Sequence, residues 1–175
     1  MQVKKRSNYL SWDQYFMGVA ILSSMRSKDP NTQVGACIVN QKKRIIGIGY
    51  NGLPVGLSDD EFPWGNEGPF LETKYPYVVH AEPNAILNSI EKLDNATMYV
   101  TLFPCNECAK LIIQSGIKEI VYLSDKYNNT ESNIASKKML DAANVKYRKL
   151  TEFSLEVKEW KNSLMIYLLV LKKQN

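Results

Sequence analysis

The apolar positions begin with a helical rhythm. Ser11 followed three residues later by Gln14 has the form of a capping box, and Tyr15, Phe16, Val19, Leu22 and Met25 recur at helical spacing. This predicts a helix over 12–25. Two apolar runs rich in β-branched residues follow, Gln33 to Asn40 (QVGACIVN) and Arg44 to Tyr50 (RIIGIGY). The polar QKK between them makes the pair a hairpin. From Asn51 to Val79 the chain is dense in glycine and proline (NGLPVG, FPWGNEGPF) and keeps no period. That predicts a long irregular segment, a kind of loop that tends to carry function in a compact domain.

Regular elements then return in alternation. The pattern predicts a short helix over Glu82 to Ile90, a strand over Thr97 to Leu102, a helix over Cys105 to Ser115 and a strand over Glu119 to Leu123. Glu131 to Ala143 carries alanines and long unbranched side chains and stops at Asn144, a residue suited to a left-handed cap. A short strand over Val145 to Lys149 and a last helix starting near Ser154 complete the order. The expected fold is α/β: one domain over 1–175, with a mixed five-stranded sheet between helical layers.

Composition narrows the class. A chain of 175 residues with 45% hydrophobic content and ten tyrosines can build a core and is not a disordered sequence. The apolar run Leu164 to Leu171 is far shorter than the roughly 20 residues that span a bilayer. It reads as a last core element, with an interface as the alternative. The N-terminus reaches an acidic residue and a helix cap before any apolar run, unlike a secretory signal. A cytoplasmic protein without a membrane partner is expected. The net charge of +4 is mild and its lysines and arginines are scattered, so no nucleic-acid partner is expected.

The chemistry concentrates in two short segments. The chain's one histidine lies in His80-Ala81-Glu82, and 21 residues separate Glu82 from Pro104-Cys105-Asn106-Glu107-Cys108. H-x-E followed by P-C-x-x-C is the signature of zinc deaminases. Its logic is chemical. Catalytic zinc accepts imidazole and thiolate, takes three protein ligands and keeps a fourth position for water. His80, Cys105 and Cys108 supply such a set, and one Zn2+ per subunit is the expected cofactor. Cys105 and Cys108, three apart at a helix start after Pro104, fall on one face, where the helix dipole favours thiolates. Glu82 is free to act as general acid and base. The third cysteine, Cys37, lies mid-strand in the apolar hairpin and reads as core.

With these residues in view, the chain resembles the cytidine deaminase superfamily, and within it the deoxycytidylate (dCMP) deaminases. The likeness runs from about Tyr9 to Lys149 through RSKDPNTQVGACIVN, GIGYNGLPVGLSDD, KYPYVVHAEPNAI, MYVTLFPCNECAKLIIQSGIKE and SDKY. It implies hydrolytic deamination of dCMP to dUMP, the precursor of thymidylate. It also implies activation by dCTP and inhibition by dTTP, with Mg2+ accompanying the triphosphate, in a homo-hexamer. Arg26, Ser27, Lys28, Lys126 and Tyr127 are the corresponding candidates for the substrate phosphate, Asn51 for the sugar hydroxyl and Ala81 for a further substrate contact. Gly49, Tyr50, Gly52, Pro54 and Gly56 correspond to the effector segment.

Two departures accompany the likeness. Asn128 stands where close relatives often have histidine, and the ligands of a second, structural zinc found in some relatives are missing. Three other functions remain open. A tRNA or DNA base deaminase would share the metal site but lacks support from a basic stripe. A free-cytidine deaminase commonly uses three cysteines with C-A-E. A non-catalytic zinc-stabilised scaffold would have no need of Glu82.

Overall fold

In the computed structural model the described residues are 3–151, 153 and 155, together with the backbone of two short strands at 158–159 and 166–167. Helix α1 (Trp12–Ser24) opens with the capping box expected: the Ser11 hydroxyl accepts from Gln14 N and the Gln14 side chain accepts from Ser11 N. Strands β1 (Gly35–Val39) and β2 (Ile45–Tyr50) follow as an antiparallel hairpin with a bulge between Ile38 and Val39. Residues 51–79 then run without regular structure, apart from a 3-10 turn at Phe70–Glu72. Helix α2 (Ala81–Leu87), β3 (Thr97–Leu102), α3 (Asn106–Gln114), β4 (Glu119–Ser124), α4 (Glu131–Ala142) and β5 (Lys146–Lys149) complete the alternation. Asn144 takes the left-handed conformation, φ 53°, after α4.

The sheet has the order β2-β1-β3-β4-β5. β1 pairs antiparallel with β2 and β3, whereas β3–β4 and β4–β5 are parallel. Side chains alternate across a strand, and here the alternation divides the core in two. Cys37, Val39, Tyr99 and Val121 face Phe16, Met17 and Ala20 of α1. Ala36, Ile38, Met98, Val100 and Ile120 face the other way, toward Ala81 and Ala85 of α2, Ala109 and Ile112 of α3, and Leu140 of α4. With helices on both faces, β1 is buried along its whole length, which accounts for its unbroken apolar run.

Two expectations need correction. The buried stripe of α1 is Phe16, Met17 and Ala20, while Tyr15, Leu22 and Met25 are exposed. The small Ala20 lets the helix close on the sheet, and Tyr15 remains outside beside Trp12 and Phe16. Cys37 is core as expected, and burial pushes its thiol pKa up to about 12. Ser154, the expected start of a last helix, lies outside the described residues, as do 164–165 and 168–171 of the apolar run. The described parts of that stretch, β6 (Lys158–Glu159) and β7 (Ile166–Tyr167), pair as antiparallel strands and not as helix. Among the described residues no helix is long and apolar enough to cross a membrane.

Gly49 has a packing role in this fold. It is buried beneath α2, where a side chain would collide with the backbone of Ala81 and Ala85. Its missing Cβ lets the helix that follows His80 lie flat on β2.

Candidate active site

Helix starts place the three metal-binding candidates. His80 is the N-cap of α2, with extended backbone (φ −69°, ψ 164°), and Cys105 is the N-cap of α3 (φ −71°, ψ 173°). Neither side chain bonds its own helix, so each is available to the other. Cys108 sits one turn into α3 and is buried. His80 Nδ1 lies 3.3 Å from Cys108 Sγ and 3.5 Å from Cys105 Sγ, and the three donor atoms fall within 4.8 Å of one another. Tetrahedral zinc with bonds of about 2.0–2.3 Å holds its donors between about 3.3 and 3.8 Å apart, so this imidazole and these two thiols fit that ion.

The electrostatics prepare the same set. The neighbouring Cys108 thiol, with His80 beside it, holds the Cys105 pKa down to about 4. The Cys105 contact raises His80, and the same thiol pairing pushes Cys108 up. Glu82, only 4% exposed, follows His80 by two residues in the first turn of α2. Burial raises its carboxyl pKa, with His80 acting in opposition. A buried carboxyl group that holds its proton more firmly than an exposed one is suited to proton transfer.

A cavity of about 420 Å³ opens on this group, lined by His80, Ala81, Glu82 and Cys105. Its other walls include Asp29 and Thr32 ahead of β1, Asn51 after β2, Lys74 from the long irregular segment, Leu102 and Phe103 at the end of β3, and Tyr127, Ser132 and Asn133 at the entry to α4. Asp29 and Lys74 form a buried ion pair at 2.5 Å, 3% and 10% exposed at their side chains. The other Asp29 oxygen accepts from the backbone N–H of Asn31 and Thr32. One carboxylate thus ties the 29–32 turn to the irregular segment 45 residues away.

The remaining sequence candidates divide. Tyr127 and Ala81 line the cavity, and Lys126 stands over the Tyr127 ring with its amine 3.4 Å from Thr32 Oγ1. Arg26, Ser27 and Lys28 follow α1 outside the cavity lining. The Ser27 hydroxyl accepts from Asp29 N, and Lys28 pairs with Asp59. Asn51 lines the cavity, yet its amide is wired into the fold: Oδ1 accepts from Val34 N, and Nδ2 donates to Thr32 O and Asp29. Asn128 accepts from Lys137 and so pins the 125–130 loop to α4.

Among the effector candidates, Gly52 forms a two-bond bridge with Val79 that closes the irregular segment. The Tyr50 carbonyl accepts from Asn84. Pro54 and Gly56 stay exposed, Gly56 with a left-handed φ of 97°.

Asp29, Lys74, Ser132 and Asn133 escaped sequence reasoning. No periodicity or motif marks them. Asp29 and Lys74 do lie within or beside the segments that carry the family likeness, which is the one signal they leave.

Comparison with known proteins agrees with this geometry. The family profile described as "Cytidine and deoxycytidylate deaminase zinc-binding region" matches residues 10–124. A deoxycytidylate deaminase of Homo sapiens is 57% identical over 148 residues, covering 83% of each chain. A probable deoxycytidylate deaminase of Drosophila melanogaster is also 57% identical over 152 residues, covering 83% of this chain and 75% of its own. Among solved structures, a dCMP deaminase from the cyanophage S-TIM5 in complex with dCMP and dUMP superposes with a TM-score of 0.62 at 27% identity, over 78% of this chain and 94% of that one.

Proposed function

Because this chain belongs to the cytidine and deoxycytidylate deaminase family, we propose that it hydrolyses dCMP to dUMP and ammonia. The observation that carries the reading is the convergence of His80, Cys105 and Cys108 beside buried Glu82 on one nucleotide-sized cavity. High identity to deoxycytidylate deaminases supports the substrate.

His80, Cys105 and Cys108 hold one zinc per subunit. When bound, zinc lowers the pKa of water from about 15.7 to about 7 and so supplies a nucleophile at neutral pH. Glu82 takes the proton released as the water oxygen bonds to C4 and delivers it to ring N3. It then carries the second proton from that oxygen to the amino group. The C4–N4 bond breaks, ammonia leaves, the C4 carbonyl of dUMP forms, and N3 keeps its hydrogen. Helix packing fixes the path, since Ala81 and Ala85 seat α2 against β2 at Gly49.

Lys126 and Tyr127, at the cavity mouth, receive the phosphate. The product would feed thymidylate synthesis in the cytoplasm. Regulation by dCTP and dTTP, carried with Mg2+ to the exposed Pro54–Gly56 turn of a homo-hexamer, is the second part of the proposal. Support for it comes from the family likeness and from the exposure of that turn.

The test is a spectrophotometric deamination assay over dCMP, CMP, deoxycytidine and a tRNA anticodon stem-loop, with and without dCTP. Turnover of dCMP, with a saturation curve sharpened by dCTP, is expected. Turnover of the stem-loop alone would overturn the substrate while leaving the metal chemistry intact.

A further inference from the structure

Helix α2 carries Glu82 and is capped by His80, yet it is only seven residues long. An isolated helix needs about 12–15 residues to be even marginally stable in water, so tertiary contacts decide where α2 lies. Packing sets how closely it approaches the sheet. A Cβ added to Gly47 or Gly49 of β2 would come within 2.3 to 2.5 Å of the backbone of Ala81 or Ala85. Contact between glycine and alanine brings two backbones together, but it offers no ridges and grooves to stop one sliding along the other.

Directional bonds supply that missing constraint. β2 is an edge strand of the sheet, and alternate residues along it and just past its end are bonded to the α2 segment. Gly52 exchanges two backbone bonds with Val79, at 3.0 and 2.9 Å. The Tyr50 carbonyl accepts from Asn84 Nδ2 at 2.8 Å, the Ile48 carbonyl from Asn88 Nδ2 at 3.3 Å and the Ile46 carbonyl from Ile90 N at 3.0 Å. The spacing of two is the period of the strand itself, so the helix is matched to it rung by rung. Both side-chain partners are backbone carbonyls, which only accept, so each asparagine amide must turn its NH2 toward the strand.

Two of these rungs bracket the chemistry. Val79 immediately precedes His80, and Asn84 follows Glu82 by two residues. The other two, at Asn88 and Ile90, lie at the C-terminal cap of α2 and beyond it. Asn84 is not part of the cavity lining, so any effect it has on the reaction passes through the helix. We infer that Asn84 is a positioning residue: with the Gly52–Val79 bridge it locks residues 79–84 onto the edge strand and so fixes His80 toward the two cysteines and Glu82 in the cavity. The inference rests on the zinc deaminase reading above and adds to it a residue outside the H-x-E motif.

The test compares Asn84→Ala with Asn88→Ala, measuring kcat and KM for dCMP, the visible spectrum of the cobalt-substituted protein, and Tm. Each variant loses one amide bond to the same strand, a small part of a domain's stability, so both should fold with similar small losses in Tm. Asn84→Ala is expected to lower kcat by about ten- to a hundredfold, the scale of an ångström-sized misplacement of reacting groups, with the KM for dCMP little changed. It should also shift the cobalt d–d bands, which report ligand geometry without any turnover. Asn88→Ala should match wild type in kcat and spectrum, and Asn84→Gln, which keeps an amide donor, should recover most of the loss. Wild-type kcat and spectrum in Asn84→Ala, or equal losses in both alanine variants, would overturn the inference while wild-type turnover of dCMP left the parent reading intact. A wild-type protein idle on dCMP would overturn the parent reading, and the cobalt spectra would still decide whether Asn84 positions His80.

Discussion

The two ends of the cavity are built differently. At the metal end every group sits on the first residues of a helix: His80 and Glu82 on α2, Cys105 and Cys108 on α3. Short contiguous motifs hold these groups, and the helices seat directly on the sheet. At the opposite end the walls are loops brought together by distant contacts, with Asp29, Lys74 and Asn51 wired to one another across the chain. The difference separates chemistry from recognition. In the proposed reading the reacting groups stand on rigid element ends where positions are well fixed, and the loops facing them can change without disturbing those positions.

Breaking the metal end should have the larger effect. Cys105→Ser should strip the metal and abolish turnover, as elemental analysis and a dCMP assay on the same sample would register. Stoichiometric zinc in that variant would contradict the ligand set. Glu82→Gln should keep zinc and fold, and still lose at least about 10² to 10⁴ in kcat, the range for one general acid-base group, with more expected because this residue acts twice. Circular dichroism and metal content alongside the kinetics separate that outcome from unfolding.

The loop end should answer chiefly in stability. Lys74→Met leaves the Asp29 carboxylate buried without its cation, a change that costs about 3–5 kcal/mol when one partner of a buried pair is removed. Urea unfolding should show that loss. A variant as stable as wild type would mean that the pair does not hold the loops together.

These effects follow the line between what the sequence carried and what it did not. The grouping of His80, Cys105, Cys108 and Glu82 was legible because two short motifs contain them all and helix-start geometry does the rest. The order of elements along the chain, and with it the mixed five-stranded sheet, followed from the alternation of apolar runs with helical ones. Residues that meet only through tertiary folding left no such trace. Lys28 had the chemistry of a phosphate ligand, but it is drawn to Asp59 on the neighbouring loop. Asn51 offered a sugar contact, yet its two N–H groups go to Thr32 and Asp29. Gly49 looked like an effector glycine and serves as the floor under α2. In each case local composition could not show the partner, which lies far away in sequence.

The smallest predicted effect lies on the far face of the sheet. Arg148 binds Asp13 through two nitrogens, at 2.8 and 3.0 Å, and Glu119 at 2.8 Å, joining α1, β4 and β5. The Arg148 hydrogen bond is the main cause holding the Asp13 carboxyl below the usual range. A depressed carboxylate contributes its stability above the unfolded-state pKa near 3.9 and loses it as pH falls through the lower folded value. Arg148→Ala should therefore flatten the acid side of the Tm–pH curve. Both side chains are partly exposed, so solvent screening keeps the stability change to about 1 kcal/mol or less. An acid limb identical to wild type would remove Asp13 from that account.

Zinc titration tests the central claim most directly. Protein stripped of metal by chelation is titrated with Zn2+ while dCMP turnover is followed by ultraviolet absorbance. Activity should rise in proportion to bound zinc and level off at one ion per subunit. Full turnover without zinc, or zinc-saturated protein that leaves dCMP untouched, would contradict the account.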